Sequence, residues 1–279
     1  MIRGFLTFIR FSHTIFALPF ALGSMFVAAH GLPPFRVFAL VVLAMVFART
    51  AAMTFNRLAD WDIDKRNPRT AGRHKLVSKR FAIAACASSA VLFIATTRFI
   101  NPLCFALAPV ALIVVFFYSL TKRFTHAAQF FLGLALAIAP IGAWLAVTGS
   151  FAFPPLVLGA SVLCWVAGFD IIYASQDLEV DEREGLRSMV VWLGFSRSLA
   201  VATLLHSAAL AGFLLFGASA RLGPIYFVGL AIVGAGLVYE HVLAGKGNIA
   251  AINKAFFQVN ATVSAIFVLS TLADQLLHP

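Results

Sequence analysis

Charged residues are scarce in this sequence of 279 residues: only 11% are Asp, Glu, Lys or Arg, whereas 61% are hydrophobic. A soluble domain carries about 25% charged residues. The composition therefore excludes an ordinary water-soluble protein, a disordered chain and a nucleic-acid-binding domain. Cysteine is also scarce. Cys86, Cys104 and Cys164 lie far apart in apolar runs and form no C-x-x-C pair, so we expect small core residues and no metal or disulfide role.

Apolar runs long enough to cross a bilayer are abundant. About 20 residues span the hydrocarbon core, and such runs must be helical because lipid cannot satisfy backbone polar groups. The sequence predicts an all-α integral membrane protein that forms a single domain over residues 1–279, with about nine transmembrane helices. The predicted spans are 12–30, 36–58, 81–99, 103–120, 128–148, 155–175, 198–217, 222–244 and 255–274.

Lysine and arginine are distributed unequally between the two sets of loops. The amino-terminal segment and alternate loops hold 16 of them, namely Arg3, Arg10, Lys65, Arg66, Arg69, Arg73, Lys75, Lys79, Arg80, Lys122, Arg123, Arg183, Arg187, Arg197, Lys246 and Lys254. The opposite side holds three, namely Arg36, Arg98 and Arg221. Because basic loops stay in the cytoplasm, we expect a multi-pass inner (plasma) membrane protein with a cytoplasmic amino terminus and an external carboxyl terminus.

Acidic residues are few, and nine of the eleven lie in two short stretches on the predicted cytoplasmic side. Residues three or four apart share one face of a helix, so each stretch predicts a polar stripe. The first stripe comprises Asn56, Asp60 and Asp64, and the second comprises Asp170, Tyr173, Asp177 and Asp181. The spacing places Asp62, Glu179 and Glu182 off these stripes.

Carboxylates that face each other at a membrane boundary repel, and burying them unpaired is costly. Oxygen ligands at this spacing suit Mg²⁺, which proteins hold through one or two carboxylates together with substrate phosphates. The alternative is that these are solvated loop charges paired with nearby Arg and Lys. Two such stripes on the same side of the membrane favour the metal interpretation.

Basic residues follow the first acidic stripe and the fourth predicted span. Arg69 and Arg73 come after the first stripe, and Lys122 and Arg123 end the fourth span. Arg offers a planar fork to phosphate or carboxylate, and Lys offers a point charge. Two metal ions and these groups would favour a leaving diphosphate. Anchoring at the membrane surface accounts for other basic residues, including Lys75, Lys79, Arg80 and Arg197.

These motifs closely resemble the UbiA-type superfamily of intramembrane aromatic prenyltransferases. The run Asn56 to Asp64, followed by Asn67-Pro68-Arg69-Thr70, resembles the first motif of that family. The run Asp170 to Asp181, with Gly185 and Ser188, resembles the second. The chain is most similar to the 4-hydroxybenzoate polyprenyltransferase-like branch. It departs from the pattern at Trp61 and Arg187, neither of which is an expected ligand.

The resemblance implies a nine-helix fold with a cytoplasmic-side active site. It implies Mg²⁺-dependent transfer of a polyprenyl group from its diphosphate to an aromatic acid, 4-hydroxybenzoate or a dihydroxynaphthoate, in ubiquinone or menaquinone biosynthesis. Asn56, Asp60 and Asp64 would hold one Mg²⁺, and Asp177 and Asp181 the other. Tyr118, Lys122, Arg69 and Arg73 would contact the diphosphate, Asp170 and Tyr173 would line the acceptor side, and Arg123 would hold the acceptor carboxylate. Catalysis would depend on the four metal-binding aspartates and Lys122.

The expected partners are therefore polyprenyl diphosphate, an aromatic acid and the lipid bilayer, with no nucleic acid and no obligatory protein partner. An apolar, phenylalanine-rich cavity would exclude water from the reacting cation. The main alternative is a transporter or channel with carboxylate clusters on its cytoplasmic side. That alternative requires ionisable residues near the bilayer midplane, where only Arg49 is found. A CDP-alcohol phosphotransferase is disfavoured because its D-G-x-x-A-R block is absent.

Overall fold

The computed structural model describes residues 2–10, 16–67 and 70–278, and all regular structure in these ranges is helical. The predicted all-α class is therefore confirmed. The helices are α1 Ile2–Phe8, α2 Leu18–Ala28, α3 Phe35–Ala59, α4 Trp61–Arg66, α5 Lys79–Arg98, α6 Pro102–Phe117, α7 Ala128–Thr148, α8 Phe153–Ala174, α9 Leu178–Arg183, α10 Met189–Leu193, α11 Phe195–Ser219, α12 Pro224–Ala244, α13 Ile249–Lys254 and α14 Asn260–Leu277. Short 3₁₀ turns cover Arg73–Lys75, Tyr118–Arg123 and Ser175–Asp177, and a π turn covers Ala255–Val259.

Within the described residues, eight helical segments are long and apolar enough to cross a membrane. They coincide with the second to ninth predicted spans. The predicted first span, 12–30, contains α2, which has 11 residues, and residues 11–15 lie outside the described ranges. The count of nine spans and the orientation in the membrane therefore stay predictions.

The helices begin and end at residues whose chemistry explains the boundary. Ser78 and Asn101 cap α5 and α6 by accepting hydrogen bonds from the backbone amides of Phe81 (3.2 Å) and Cys104 (2.8 Å). Such caps satisfy amides that have no partner inside the helix. Gly149 ends α7 with a φ of 70°, a left-handed conformation that glycine adopts without a steric penalty.

Helix α8 lies at the centre of the bundle, packed between α7 and α11. Its Trp165 is fully buried in an aromatic cluster, with ring centroids 4.8 Å from Phe20 of α2 and 4.9 Å from Phe169. Phe20 in turn packs at 4.6 Å against Phe267 of α14. The three cysteines are free, and Cys86 and Cys104 are buried.

Close approach of α7 and α8 depends on Gly133. A Cβ atom at this position would lie 2.5 Å from the backbone oxygen of Leu163. A backbone atom in the middle of a packed helix cannot move aside. Nearby, Ser24 of α2 donates a hydrogen bond of 2.7 Å to the carbonyl of Pro140 in α7. Small residues and hydroxyl groups are typical of such contacts between membrane helices.

We expect Gly133→Ala to destabilise the protein by about 1–3 kcal/mol, because overpacking at a backbone contact forces the two helices apart. Gly142→Ala on the same helix is the matched control, since an added Cβ there meets nothing within 4 Å. Thermal unfolding of both variants in detergent measures the difference. Equal unfolding temperatures for the two variants would contradict this account of the α7–α8 contact.

Candidate active site

The two acidic stretches meet at one end of the helix bundle, where α3 and α8 finish. Asn67, after the first stretch, donates a hydrogen bond of 3.4 Å to the Oδ1 atom of Asp177 in the second. Arg66 and Glu184 form an ion pair of 2.6 Å between the same two segments. The tertiary structure thus joins stretches that are more than 100 residues apart in sequence.

The first stretch is not one continuous helix, so the predicted helical stripe is wrong in that respect. Helix α3 ends at Ala59, whose carbonyl accepts a hydrogen bond of 2.8 Å from Arg123, and α4 restarts at Trp61. A carbonyl at a helix end needs such a partner. The amide of Asp60 still bonds to the carbonyl of Asn56 (3.0 Å), and the amide of Asp64 to that of Asp60 (2.7 Å).

Because these bonds preserve the four-residue spacing, Asn56, Asp60 and Asp64 all line one polar cavity of about 260 Å³. The side chain of Asp62 is 70% exposed and pairs with Lys65 at 3.1 Å. The structure therefore separates Asp62 from the three residues of the stripe, as the spacing indicated.

The second stretch is likewise interrupted. Helix α8 ends at Ala174, and the 3₁₀ turn Ser175–Asp177 leads into α9. The four residues of the second stripe nevertheless line the same polar cavity, and these are Asp170, Tyr173, Asp177 and Asp181. Glu179 and Glu182 are exposed. The cavity thus has an acidic wall from each motif.

Basic side chains neutralise most of these carboxylates. The pairs are Asp60–Arg123 at 3.1 Å, Asp64–Arg73 at 3.1 Å, Asp64–Arg57 at 3.5 Å and Asp181–Lys122 at 3.1 Å. The carboxylates are not solvated loop charges, since the side chains of Asp64 and Asp181 are only 14% and 5% exposed. Charges this buried are retained only when they are paired.

Burial also shifts the acid–base properties of the groups that lie outside the membrane spans. Desolvation raises the pKa of the Asp60 carboxyl, and the positive charge of Arg123 only partly opposes this rise. Burial, together with the neighbouring positive charge of Arg57, lowers the pKa of Arg73 to about 10, and the negative charge of Asp64 partly opposes this change. Arg73 therefore stays cationic at neutral pH.

The predicted diphosphate contacts Tyr118 and Lys122 lie on the 3₁₀ turn that continues α6, and both line the polar cavity. Arg73 and Arg123 line it as well. Arg69 lies outside the described residues. Besides pairing with Asp60, Arg123 donates to the carbonyls of Ala59 and Ser119. Its predicted contact with an acceptor carboxylate stays a prediction.

An apolar cavity of about 360 Å³ adjoins the polar one between α3, α5, α6 and α7. Five residues line both, namely Arg49, Met53, Tyr118, Leu132 and Leu136. The expectation of a phenylalanine-rich cavity is wrong, because only Phe93 and Phe151 line it among the described residues. Nine of its lining residues are alanines, namely Ala17, Ala44, Ala48, Ala52, Ala108, Ala111, Ala135, Ala139 and Ala143, and most of the others are aliphatic. Small side chains leave the space that aromatic rings would fill.

Seven polar residues that line the cavity are not among the site residues predicted from the sequence, namely Arg10, Arg49, Arg57, Asn67, Thr70, Ser119 and Thr121. Arg10 donates to the hydroxyl of Tyr173 (3.1 Å), and Arg49 donates to the carbonyl of Arg10 (3.3 Å). The buried Nε atoms of Arg49 and Arg57 have no hydrogen-bond partner in the described part of the chain. The available signal was helical spacing, since Arg49 precedes Asn56 by seven residues, two turns on one face.

The donor set fits Mg²⁺ when substrate completes the coordination. Five residues with oxygen donors face one cavity, and these are Asn56, Asp60, Asp64, Asp177 and Asp181. The described residues contain no group of three or more Asp, Glu, His or Cys side chains gathered closely enough to hold an ion alone. This matches the usual behaviour of Mg²⁺, which binds through one or two carboxylates plus phosphate oxygens.

Known proteins resemble the chain over nearly its whole length. A family model described as "UbiA prenyltransferase family" matches residues 17–262. The 4-hydroxybenzoate octaprenyltransferase of Nitrosospira multiformis is 32% identical over 257 residues, which cover 90% of this chain and 88% of that protein. A UbiA homolog from Aeropyrum pernix K1, solved in its apo form, has a TM-score of 0.85 at 30% identity and covers 94% of this chain and 98% of its own.

A further solved structure shares the fold at lower identity. It is a UbiA homolog from Archaeoglobus fulgidus bound to DMAPP and Mg²⁺, with a TM-score of 0.73 at 21% identity. The alignment covers 96% of this chain and 98% of that protein.

The raised pKa of Asp60 predicts a stability change that is independent of activity. A carboxyl whose pKa is higher in the folded state destabilises that state once it ionises. Asp60→Asn should therefore unfold at a higher temperature than the wild type at neutral pH without added ligand, and Arg123 keeps its two backbone acceptors. The difference should shrink as the pH falls through the pKa of Asp60, where the wild-type carboxyl is also neutral. A lower unfolding temperature at neutral pH would contradict the prediction.

Proposed function

The chain belongs to the UbiA prenyltransferase family and is a membrane-spanning prenyltransferase, and we propose that it transfers a polyprenyl group from its diphosphate to an aromatic acid with Mg²⁺ as cofactor. The observation that supports the proposal is the junction of two cavities, one polar and one apolar, that share Arg49, Met53 and Tyr118. A polyprenyl diphosphate has one charged end and one hydrocarbon end. The junction is where its reacting carbon would lie.

The alternative of a transporter or channel is set aside, because the family is enzymatic and the curated relatives are named as prenyltransferases. The names of these relatives, 4-hydroxybenzoate octaprenyltransferases, support 4-hydroxybenzoate as the acceptor over a dihydroxynaphthoate. The product would then belong to quinone biosynthesis. An assay of the purified protein with both acids and one polyprenyl diphosphate tests the choice.

The apolar cavity is proposed to hold the prenyl chain. Its wall of alanine and aliphatic side chains would shield the prenyl chain from water. This burial stabilises the bound state by about 25 cal/mol per Å² of apolar surface. It also keeps water from the allylic carbon, where a carbocation would be captured. The cavity lies between helices that cross the bilayer, so a membrane-dissolved chain would reach it without crossing the aqueous phase.

Carboxylates of both motifs are proposed to bind the metal. Asn56, Asp60 and Asp64 would hold one Mg²⁺, and Asp177 and Asp181 the other. When bound, the metal supplies positive charge that stabilises the departing diphosphate.

The ion pairs of the cavity suggest how the protein accommodates this charge. Lys122 and Arg73 pair with Asp181 and Asp64. We expect diphosphate oxygens to replace these carboxylates as the partners of Lys122 and Arg73, while Asp181 and Asp64 bind the metal. Each charged group would then have a partner both before and after the substrate binds. Tyr118 lies beside Met53 at the junction and lines both cavities, where its hydroxyl would reach a diphosphate oxygen. Arg69 is proposed as a further contact.

Asp170, Tyr173 and Arg123 are proposed to line the acceptor side. Arg49 is an additional candidate for the acceptor carboxylate, because its buried Nε lacks a hydrogen-bond partner in the described part of the chain. A cationic guanidinium with a buried, unpaired N–H attracts an anion strongly in an enclosed space. The acceptor ring carbon next to the phenol would attack the allylic carbon and then lose its proton. The positive-inside asymmetry supports a site that faces the cytoplasm from the inner membrane.

Within each acidic motif, we expect substitution of the carboxylates that line the cavity, but not of their exposed neighbours, to abolish most prenyl transfer. Asp177→Ala should lower prenyl transfer by about 100-fold, because a ligand of the metal is removed, as should Asp60→Ala. Glu179→Ala and Asp62→Ala are matched controls on the same segments, since both side chains are exposed, and they should retain most activity. Diphosphate release measured at saturating Mg²⁺ checks this. Similar losses in all four variants would contradict the assignment of ligands.

Lys122 is expected to stabilise the charge that grows on the diphosphate as the C–O bond breaks. Interactions that strengthen in the transition state raise kcat and not only affinity. Lys122→Ala should therefore lower kcat by at least about tenfold, equivalent to about 1.4 kcal/mol. Lys79→Ala is the control, because Lys79 is an exposed residue at the start of α5 and should behave as wild type. If Lys122→Ala raised only the KM for prenyl diphosphate, Lys122 would serve as a docking charge.

A further inference from the structure

The last transmembrane segment contains a π turn next to the polar cavity. Residues Ala255–Val259 form this turn between α13 and α14. A π turn is rare and is frequently found at functional sites. Two questions follow: which side chain stabilises the π turn, and which residue the turn positions.

The side chain of Asn260 supplies the partner. Its amide Nδ2 contacts the carbonyls of Ala255 and Phe256, both at 3.2 Å. The same nitrogen donates to the Oε1 atom of Glu240 on α12 at 2.7 Å. Glu240 and Asn260 are both fully buried. An acidic side chain inside a transmembrane helix is costly and is usually retained for function. The hydrogen bonds of the Glu240–Asn260 pair hold the π turn against α12.

Phe256 is the residue that the π turn directs into the polar cavity. Its ring stacks on Tyr173 with a centroid distance of 4.0 Å and an interplanar angle of 29°. It also meets Phe16 and Phe169 edge-on, at 5.3 Å and 5.4 Å. If the segment were a regular α-helix without the extra residue of the π turn, the residues before Asn260 would be turned about the helix axis by about 100°. Phe256 would then no longer face this wall.

Tyr173 is also held on its other side, because its hydroxyl accepts a hydrogen bond of 3.1 Å from Arg10. The ring of Tyr173 is therefore fixed at its edge by Arg10 and on its face by Phe256. An aromatic ring held in this way offers a rigid surface against which a second flat ring can pack, and such ring pairs contribute beyond the area they bury.

We propose that Phe256 is a specificity-determining residue, which forms with Tyr173 the wall that the ring of the aromatic acid packs against. The Glu240–Asn260 pair positions this wall through the π turn. The proposal rests on the proposed function, because it assigns the binding surface of the acceptor. Phe256 belongs to neither acidic motif, so motif spacing does not identify it.

The first test separates acceptor binding from prenyl diphosphate binding. Phe256→Leu should raise the KM for the aromatic acid about fivefold or more, while the KM for prenyl diphosphate stays unchanged. Phe257→Leu is the matched control, since Phe257 is 38% exposed and does not line the cavity. Thermal unfolding of each variant in detergent establishes that it is folded. If Phe256→Leu raised both KM values equally, or neither, the proposal would be overturned.

The second test addresses the positioning pair without touching the cavity. Glu240→Gln keeps an oxygen that accepts the hydrogen bond from Asn260, and it should retain the wild-type KM for the acid. Glu240→Leu is apolar and suits the membrane interior, but it removes the acceptor. It should raise the KM for the acid as Phe256→Leu does. Identical behaviour of the Gln and Leu variants would show that the pair does not position the wall.

The outcomes also separate this inference from the function on which it rests. If the wild-type protein transfers prenyl groups to no aromatic acid, the proposed function fails and the inference fails with it. If the wild type does transfer them and Phe256→Leu leaves the KM for the acid unchanged, only the inference fails.

Discussion

Carboxylates and basic side chains pair around a cavity enclosed by apolar helices, and the pairs Asp60–Arg123 and Asp181–Lys122 hold both motif segments against the 3₁₀ turn Tyr118–Arg123. The strength of this interaction comes from the surroundings, because opposite charges attract more strongly where little water screens them. Both members of the pair Asp64–Arg73 are largely buried, as is Asp181, whose partner Lys122 is 36% exposed. None of these buried groups could remain there alone, since an uncompensated buried charge costs several kcal/mol. The shape of the cavity and the protonation of its groups therefore depend on these contacts.

The same pairing suits the cavity to a substrate that brings several negative charges and a divalent cation. A site of preformed carboxylates with no basic partners would be unstable, and a site of arginines alone would repel the metal. Alternating acidic and basic side chains allow partners to be exchanged while the total charge stays balanced. Two cavities of opposite polarity meet beside Tyr118, so the charged and hydrocarbon parts of one molecule can be bound side by side.

The two buried carboxylates outside the cavity are also paired, in this case by hydrogen bonds. Asp274, fully buried near the end of α14, accepts hydrogen bonds from the amides of Gly223 (2.6 Å) and Tyr226 (3.3 Å) and so caps α12. Glu240 is bound by Asn260. These are the two acidic residues outside the motif stretches. Asp274 binds the backbone of α12 directly, whereas Glu240 binds Asn260, which contacts the carbonyls of the π turn. In a protein with so few charges, even the structural carboxylates have specific partners.

The sequence by itself determined the all-α membrane class, the positions of eight long helices and the two acidic stretches, because hydrophobic run length and four-residue spacing are local properties of the chain. It also separated Asp62 and Glu179 from the cavity-lining carboxylates. Local spacing could not reveal the break at Asp60, where Arg123 from a distant segment binds the carbonyl of Ala59. The pairing of Asp60 with Arg123 and of Asp181 with Lys122, the alanine-lined apolar cavity and the stacking of Phe256 on Tyr173 were decided only by the tertiary structure. All three arise between helices that are far apart in sequence, and their energies depend on distances that only packing sets.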